Sequence, residues 1–485
     1  MSFQTLPTEI VSSILKLAAI THAEEGVNFT YGLTQAPLPL QKPALTRYVR
    51  GPANPDALRW DATATIRSVC RKWHAWALQY SMESVIIRKW RGSERWAELS
   101  TKRKLYDIYE LIEKPSGFAV YRDPYNSLRE TQKLFSQYPA ITNNVRRLWF
   151  NGFLTRDTDR LIFQVLRSCR FLTSISVPWT LLRHGSVQDW VHLLGTADED
   201  DLPVQSLELQ AVCLKEATTS NPAFDVDFDA LKDPRVDFGQ LRRLKLIGNT
   251  TWKPVDDEDL AVIARSATGL KEFHITSLST ISIKGVVSII KASKQTLRVI
   301  EHSPRSDDGF FHPDPGCLDT DEHICEILVD CPRLKDLSIS VPSMCSHLFS
   351  HEDVRWEGEC QVRATTLCDC TKLPRTQQTR QTKVNSLRKT LNQARDLIVA
   401  RQRQRKDLEI ELFFADCIFD PRDCVVHGDF ALASLISGGL WPNTTTPSGK
   451  GPYGSTGLYG KDEGDFSIVT EDEYFRGVEK GWIRL

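Results

Sequence analysis

Between residues 144 and 340 one short pattern returns seven times, and it restricts the fold more than any other feature of the chain. Each copy has an apolar residue, two free positions, then apolar–free–apolar, followed by turn-forming residues and a stretch with helical spacing. The copies begin at Val145, Leu172, Val204, Leu241, Leu270, Leu297 and Leu334, 27 to 37 residues apart. Their second halves, such as Leu148-Phe150 and Leu244-Leu246, alternate as a strand does when one face is covered. Between them lie "TDRLIFQVLRSC", "DEDLAVIARSA", "IKGVVSIIKAS" and "DEHICEILVDC", which carry apolar residues at helical spacing. A strand–helix unit this small leaves an apolar face that only its neighbours can cover, so the units must stack. The copy "LRRLKLIGN" places Asn249 where a turn is expected, and the sixth copy is irregular, with His302 in an apolar slot.

The rest of the chain frames this array. "LPTEIVSSILKLA" predicts a helix, with Pro7 and Thr8 at its opening, Glu9 in its first turn, and Leu6, Ile10, Ile14, Leu15 and Leu17 at helical spacing. The pattern fails over about residues 20–61, a Pro-rich polar stretch that reads as a long loop or extended insert. It resumes with Ile66, Val69, Cys70, Trp73, Trp76 and Ala77, and "SVIIRKW" then offers a short strand or a helix end. Beyond residue 350, "VNSLRKTLNQARDLIVARQRQ" has one apolar stripe and "LEIELFF" alternates, which predicts a closing helix and strand.

At 485 residues two or three domains are expected. A net charge of −1 and a pI near 6.8 argue against nucleic acid or an anionic membrane surface as a partner of the whole chain. Twelve cysteines form no dense framework, no signal peptide is recognisable and no apolar run reaches bilayer length. A reduced, intracellular protein, cytoplasmic or nuclear, is expected, with Asn28, Asn249 and Asn443 unglycosylated.

The two N-terminal segments resemble the F-box, the helical module that attaches ubiquitin-ligase substrate receptors to their Skp adaptor. The matching residues are Leu6, Pro7, Glu9, Ile10, Ile14 and Leu15, then Val69, Cys70, Arg71, Trp73 and Ala77. The resemblance implies adaptor contacts from Leu6, Pro7, Glu9, Ile10, Ile14, Leu15, Val69, Cys70, Trp73 and Trp76. The family module is normally continuous, whereas here an insert splits it. With its array, the chain resembles fungal-type F-box proteins with irregular leucine-rich repeats. That implies an α/β fold: an F-box at 1–81, a helical connector at 82–142, a curved leucine-rich-repeat-like solenoid at 143–350, a closing helix–strand unit at 351–441, and a loop-rich tail at 442–485.

By the same resemblance the chain is a non-catalytic substrate receptor of an SCF-type ubiquitin ligase, joined to Skp and cullin subunits and needing no cofactor. The alternative is a non-ligase interaction scaffold with a degenerate F-box. The strand positions between the inward residues would face a concave surface and hold a target protein. They include Arg147, Trp149, Arg243, Lys245, Glu272, His274, Glu301 and Asp336, with Trp149 the one large aromatic.

Three other motifs point to chemistry and are set aside. "VVHGDFALAS" resembles the His-Gly-Asp segment of aminoglycoside and choline phosphotransferases, with Asp429 in the catalytic position. Ser434 stands where those enzymes need a metal-binding Asn, and repeats occupy the place of a nucleotide lobe. His351, Cys360, Cys368 and Cys370 lack a CxxC pair, so no metal site is expected; Cys169, Cys325 and Cys331 fit as small buried residues on or beside repeat helices. The basic run at 388–406 shares its helix with an apolar stripe and is followed by acidic residues, which suits a solvated outer face better than a nucleic-acid site.

Overall fold

The computed structural model of the chain describes residues 6–34, 63–88, 110–113, 119–122, 126–195, 203–211, 230–250, 255–278, 280–303, 323–350, 354–367, 380–414, 424–427, 430–433 and 467–470. The chain divides into two compact units, Met1–Val204 and Gln205–Leu485, so a boundary falls inside the stretch the sequence reads as a single array.

The first unit begins with helices α1 (Thr8–Thr34), α2 (Ala64–Arg67) and α3 (Arg71–Met82). The loop expected from residue 20 starts later than the apolar pattern implies, because α1 continues to Thr34. Ala23, Glu24 and Glu25 have high helix propensity and no proline intervenes before Pro37. The 82–142 segment, expected to be helical, is mixed. It contains strand β1 (Ser84–Arg88) and an antiparallel pair, β2 (Glu110–Glu113) and β3 (Ala119–Arg122), before helices α4 (Asn126–Gln137) and α5 (Pro139–Thr142). The β-branched and isoleucine side chains of "SVII" suit a strand, and β1 has a parallel partner in β4 (Arg147–Asn151). Then follow α6 (Arg156–Arg167), β5 (Ser174–Pro178), α7 (Leu181–His184) and α8 (Val187–Leu193). Thr155 and Thr158 form a capping box that opens α6, with Asp157 and Asp159 in its first turn. Ile162, Phe163, Val165 and Leu166 of that helix are buried, and Phe163 meets Trp190 of α8 edge to face at 5.9 Å.

The second unit repeats the strand–helix alternation: β6 (Ser206–Ala211), β7 (Arg243–Thr250), α9 (Asp257–Ala264), β8 (Glu272–Leu278), α10 (Ile283–Ala292), β9 (Val299–Ser303), α11 (Ile324–Val329), β10 (Asp336–Met344), β11 (Gly358–Leu367), α12 (Arg380–Arg403) and β12 (Leu408–Phe414). Short strands β13 (Cys424–His427), β14 (Phe430–Ala433) and β15 (Ser467–Thr470) complete it. Each strand from β7 to β12 pairs in parallel with its predecessor; β14 follows β12 in the sheet, and β13 is antiparallel to β14. The register aligns the expected inward residues in one row, Leu207, Leu244, Phe273, Ile300 and Leu337, continuing through Cys360 to Ile410. All of these are buried. Asn249 lies within β7 instead of in a turn, where the register with β8 shifts between Ile247 and Thr250. His302 is buried as the apolar slot requires.

The starts of α9 and α10 are satisfied locally. Asp256 and Asp259 form the capping box of α9, and Asp257 accepts from the Ser282 amide at 2.8 Å, joining one helix start to the next. Gly285 permits that junction, because a Cβ there would meet the Asp257 carboxylate at 2.4 Å and its Cα at 3.2 Å. The closing helix and strand appear as expected in α12 and β12. Long strand β11 ahead of them has no counterpart among the sequence expectations, although Cys360, Val362 and Ala364 alternate with Gln361 and Arg363 and are buried.

Candidate functional site

The N-terminal segments meet in space despite the residues between them. Val11, Leu15 and Ala19 of α1, Ile66 of α2 and Ala77 of α3 form one buried cluster, with Leu6, Ala18, Trp73, Trp76 and Tyr80 packed against it. Two polar contacts fasten the pair: the Trp76 indole N–H donates to Ser12 Oγ at 2.9 Å, and Thr65 Oγ1 lies 3.2 Å from His22 Nδ1. Trp76 also stacks on Tyr80, with ring centroids 5.0 Å apart.

The expected adaptor residues fall into two groups. Pro7, Glu9, Ile10, Ile14, Val69 and Cys70 are exposed, Ile10 at 47%. Leu15, at 3% exposed, faces inward, and Leu6, Trp73 and Trp76 are partly buried against the cluster. The expectation that Leu15 contacts a partner is therefore corrected: position 15 lies on the stripe with 11 and 19, about a third of a turn or more from 10, 14 and 17. Sequence spacing also missed Leu17, Ile20 and Leu78 as part of the exposed apolar set. Helix α1 thus has apolar side chains on two different faces, only one of which is covered among the described residues. Each large apolar side chain removed from water contributes roughly 1.5–3 kcal/mol, so covering the second face offers substantial binding free energy.

The expected target surface is less open than the alternation implied. In the first unit Arg147 is exposed, 3.9 Å from Glu83, but Trp149 is only 6% exposed. Trp149 is thus corrected from a concave contact to a packed residue, held between Ile86 and Ser176 in the register of β1, β4 and β5. In the second unit the polar row runs Glu208, Lys245, His274, Glu301, Ser338 and Gln361 across adjacent strands. It starts partly open and closes along the row: Glu301 is 1% exposed, and Ser338 and Gln361 are buried as well. Glu301 is likewise corrected from a surface contact to a buried partner of His274. Asp336 is half-buried.

The open end of this face is an ion-pair network. Arg243 Nε binds Glu272 at 2.5 Å, Lys245 lies 3.6 Å from Glu208, and His274 reaches Glu301 through Nδ1 at 2.9 Å and Glu272 through Nε2 at 3.5 Å. Hydrogen bonding from His274, then from Arg243, outweighs desolvation and pulls the Glu272 carboxyl down to about 2. Burial alone would lower the His274 pKa, yet its bonds to Glu272 and Glu301 raise it above the ordinary 6.5.

The signs set a window. Glu272 stabilises the fold above its ordinary value of 4.5, and this is lost as pH falls toward about 2. The His274 contribution is complete below 6.5 and disappears as pH rises through its raised value. The cluster is therefore strongest between these two ordinary values. An NMR titration of the His274 ring is expected to give a midpoint above 6.5, and Glu301→Gln should lower it. An unchanged midpoint in the variant would remove Glu301 as its anchor.

Of the motifs set aside, Asp429, Ser434, His351, Cys368 and Cys370 lie outside the described residues, while Cys360 is buried in β11. The structure draws together a different set, His323, Cys325 and Cys345, whose donor atoms all lie within 4.8 Å of one another. Sequence reading placed Cys325 in a helix core and gave no role to the other two, because twenty positions separate the pair from Cys345. Among the described residues no helix is long and apolar enough to cross a membrane. Neither a protein-family model nor a curated protein sequence matches this chain.

Proposed function

We propose that the chain is the substrate-recognition subunit of an SCF-type ubiquitin ligase. In this reading α1–α3 form a split F-box that binds a Skp adaptor, and a leucine-rich-repeat-like solenoid holds a target protein. The observation that carries it is the double-sided α1: Val11, Leu15 and Ala19 are covered by α2 and α3, while Ile10, Ile14, Leu17 and Ile20 stay exposed. A helix apolar on both sides is suited to burial on both sides, and an adaptor's helices supply the missing cover. The chain performs no covalent chemistry here; it raises the effective concentration of a target near the ubiquitin-conjugating enzyme. The charged strand positions Arg243, Lys245 and Glu272 give the target surface mixed sign, as suits a polypeptide.

Ile10→Glu combined with Leu17→Glu tests the docking role, because both positions are exposed and tolerate charge without loss of the fold. Two covered side chains at roughly 1.5–3 kcal/mol each imply at least about a hundredfold weaker adaptor binding. The measurement is co-purification with a Skp adaptor and titration of the purified pair. Undiminished binding by the variant removes the assigned surface. Failure of the unaltered chain to bind any Skp adaptor favours the non-ligase scaffold instead.

A further inference from the structure

We propose that His323, Cys325 and Cys345 form a site for Zn²⁺, independent of the adaptor-docking reading. His323 immediately precedes α11 and Cys325 lies in that helix's first turn, while Cys345 directly follows β10. A helix that leads into a parallel strand runs antiparallel to it, which brings the helix start to the strand's carboxyl end. Open α/β sheets place ligand sites on that edge.

Three observations support the assignment. First, the donor set is suited to zinc: two thiols and an imidazole, mutually within 4.8 Å. Second, the spacing of one donor pair fits. Zn–S bonds of about 2.3 Å and Zn–N bonds of about 2.0–2.1 Å at a tetrahedral angle separate sulfur from nitrogen by about 3.6 Å. Cys345 Sγ lies 3.6 Å from His323 Nδ1. Third, the charges balance. Both cysteines are 1% exposed, and an isolated thiolate there would be costly, but two thiolates and one dication leave the buried centre neutral.

Binding breaks two S–H bonds, releases two protons to solvent, and forms two Zn–S bonds and one bond to neutral His323, with no change of oxidation state. One tetrahedral position remains for a fourth donor. Buried cysteines are common, and Cys169 and Cys331 show the ordinary case. Each sulfur hydrogen-bonds to a carbonyl of its own helix, Val165 at 3.5 Å and Ile327 at 3.3 Å, and burial pushes each thiol up to about 12. The pair at 325 and 345 differs by converging with an imidazole from separate segments.

The test uses the reduced, metal-stripped full chain titrated with Co²⁺ and then Zn²⁺. The expected result is tetrahedral Co²⁺ absorption with thiolate-to-cobalt charge transfer, abolished by one added equivalent of Zn²⁺. Even outer-shell partners cost roughly 10–100-fold in metal affinity, so His323→Ala should weaken binding by more than about a hundredfold. Cys325→Ser and Cys345→Ser should each reduce the charge-transfer intensity, while Cys169→Ser leaves it intact. Circular dichroism identifies variants that fail to fold, and His323→Ala, at a partly exposed position, keeps the test decisive if the cysteine variants do. A folded chain without the charge-transfer band, equal affinity in His323→Ala, or isolation of a Cys325–Cys345 disulfide in place of a metal complex would each overturn the site.

Discussion

Leu15→Asp is expected to unfold the N-terminal helices, whereas Ile10→Asp, little more than a turn away on the same helix, leaves them folded. Leu15 sits in the buried cluster with Val11, Ala19, Ile66 and Ala77, and Leu6, Ala18, Trp73, Trp76 and Tyr80 pack against it. The substitution loses roughly 1.5–3 kcal/mol of apolar burial and adds an unpaired carboxylate whose desolvation costs several kcal/mol more. A cluster of five fully covered residues has little margin against that sum. Ile10 is exposed and packs no core, so aspartate there changes hydration and little else. Amide hydrogen exchange across α1 and α3 separates the two outcomes: protection lost throughout for Leu15→Asp, and retained for Ile10→Asp. Equal protection in both would mean that Leu15 and Ile10 do not differ in burial and would remove the division of α1 into a covered and an open face.

The second large effect belongs to Phe273. It lies in the middle of the inward row of the second unit, flanked by Leu244 on one strand and Ile300 on the other, and is fully buried. Phe273→Ala removes an entire ring from a packed interior, which costs about 3–5 kcal/mol. Arg243→Ala on the neighbouring strand breaks a solvent-accessible ion pair with Glu272 and should cost no more than about 1 kcal/mol. Urea unfolding followed by exchange protection in β7, β8 and β9 measures both. A Phe273→Ala loss below that of Arg243→Ala would contradict the central place of this row in the second unit's stability.

The repeating pattern made the strands and their inward residues legible, because period-two alternation in a sheet covered on one side leaves few alternatives. Leu207, Leu244, Phe273, Ile300 and Leu337 align as the spacing implied. The opposite face was harder to read. Alternation separates the two faces of a strand but does not say whether the second meets water, so Trp149 and Glu301 looked exposed and are buried. In α1 the apolar stripe could be found but not divided: Leu15 and Ile10 both look like one helical face until α2 and α3 select which side they cover. The His323, Cys325 and Cys345 group had no sequence signal, since its closeness depends on α11 folding back along β10.

The order of strands in the second unit also bears on how it is made. From β7 to β12 every strand finds its partner in the one synthesised just before it, so pairing can advance rung by rung while the chain is still leaving the ribosome. Among the described strands the final group departs from this rule: β14 takes the place beside β12 and leaves β13 on its far side. The pairing beside β12 therefore needs β14, the later of the two strands to be synthesised, so this edge can be completed only after β13 has already left the ribosome.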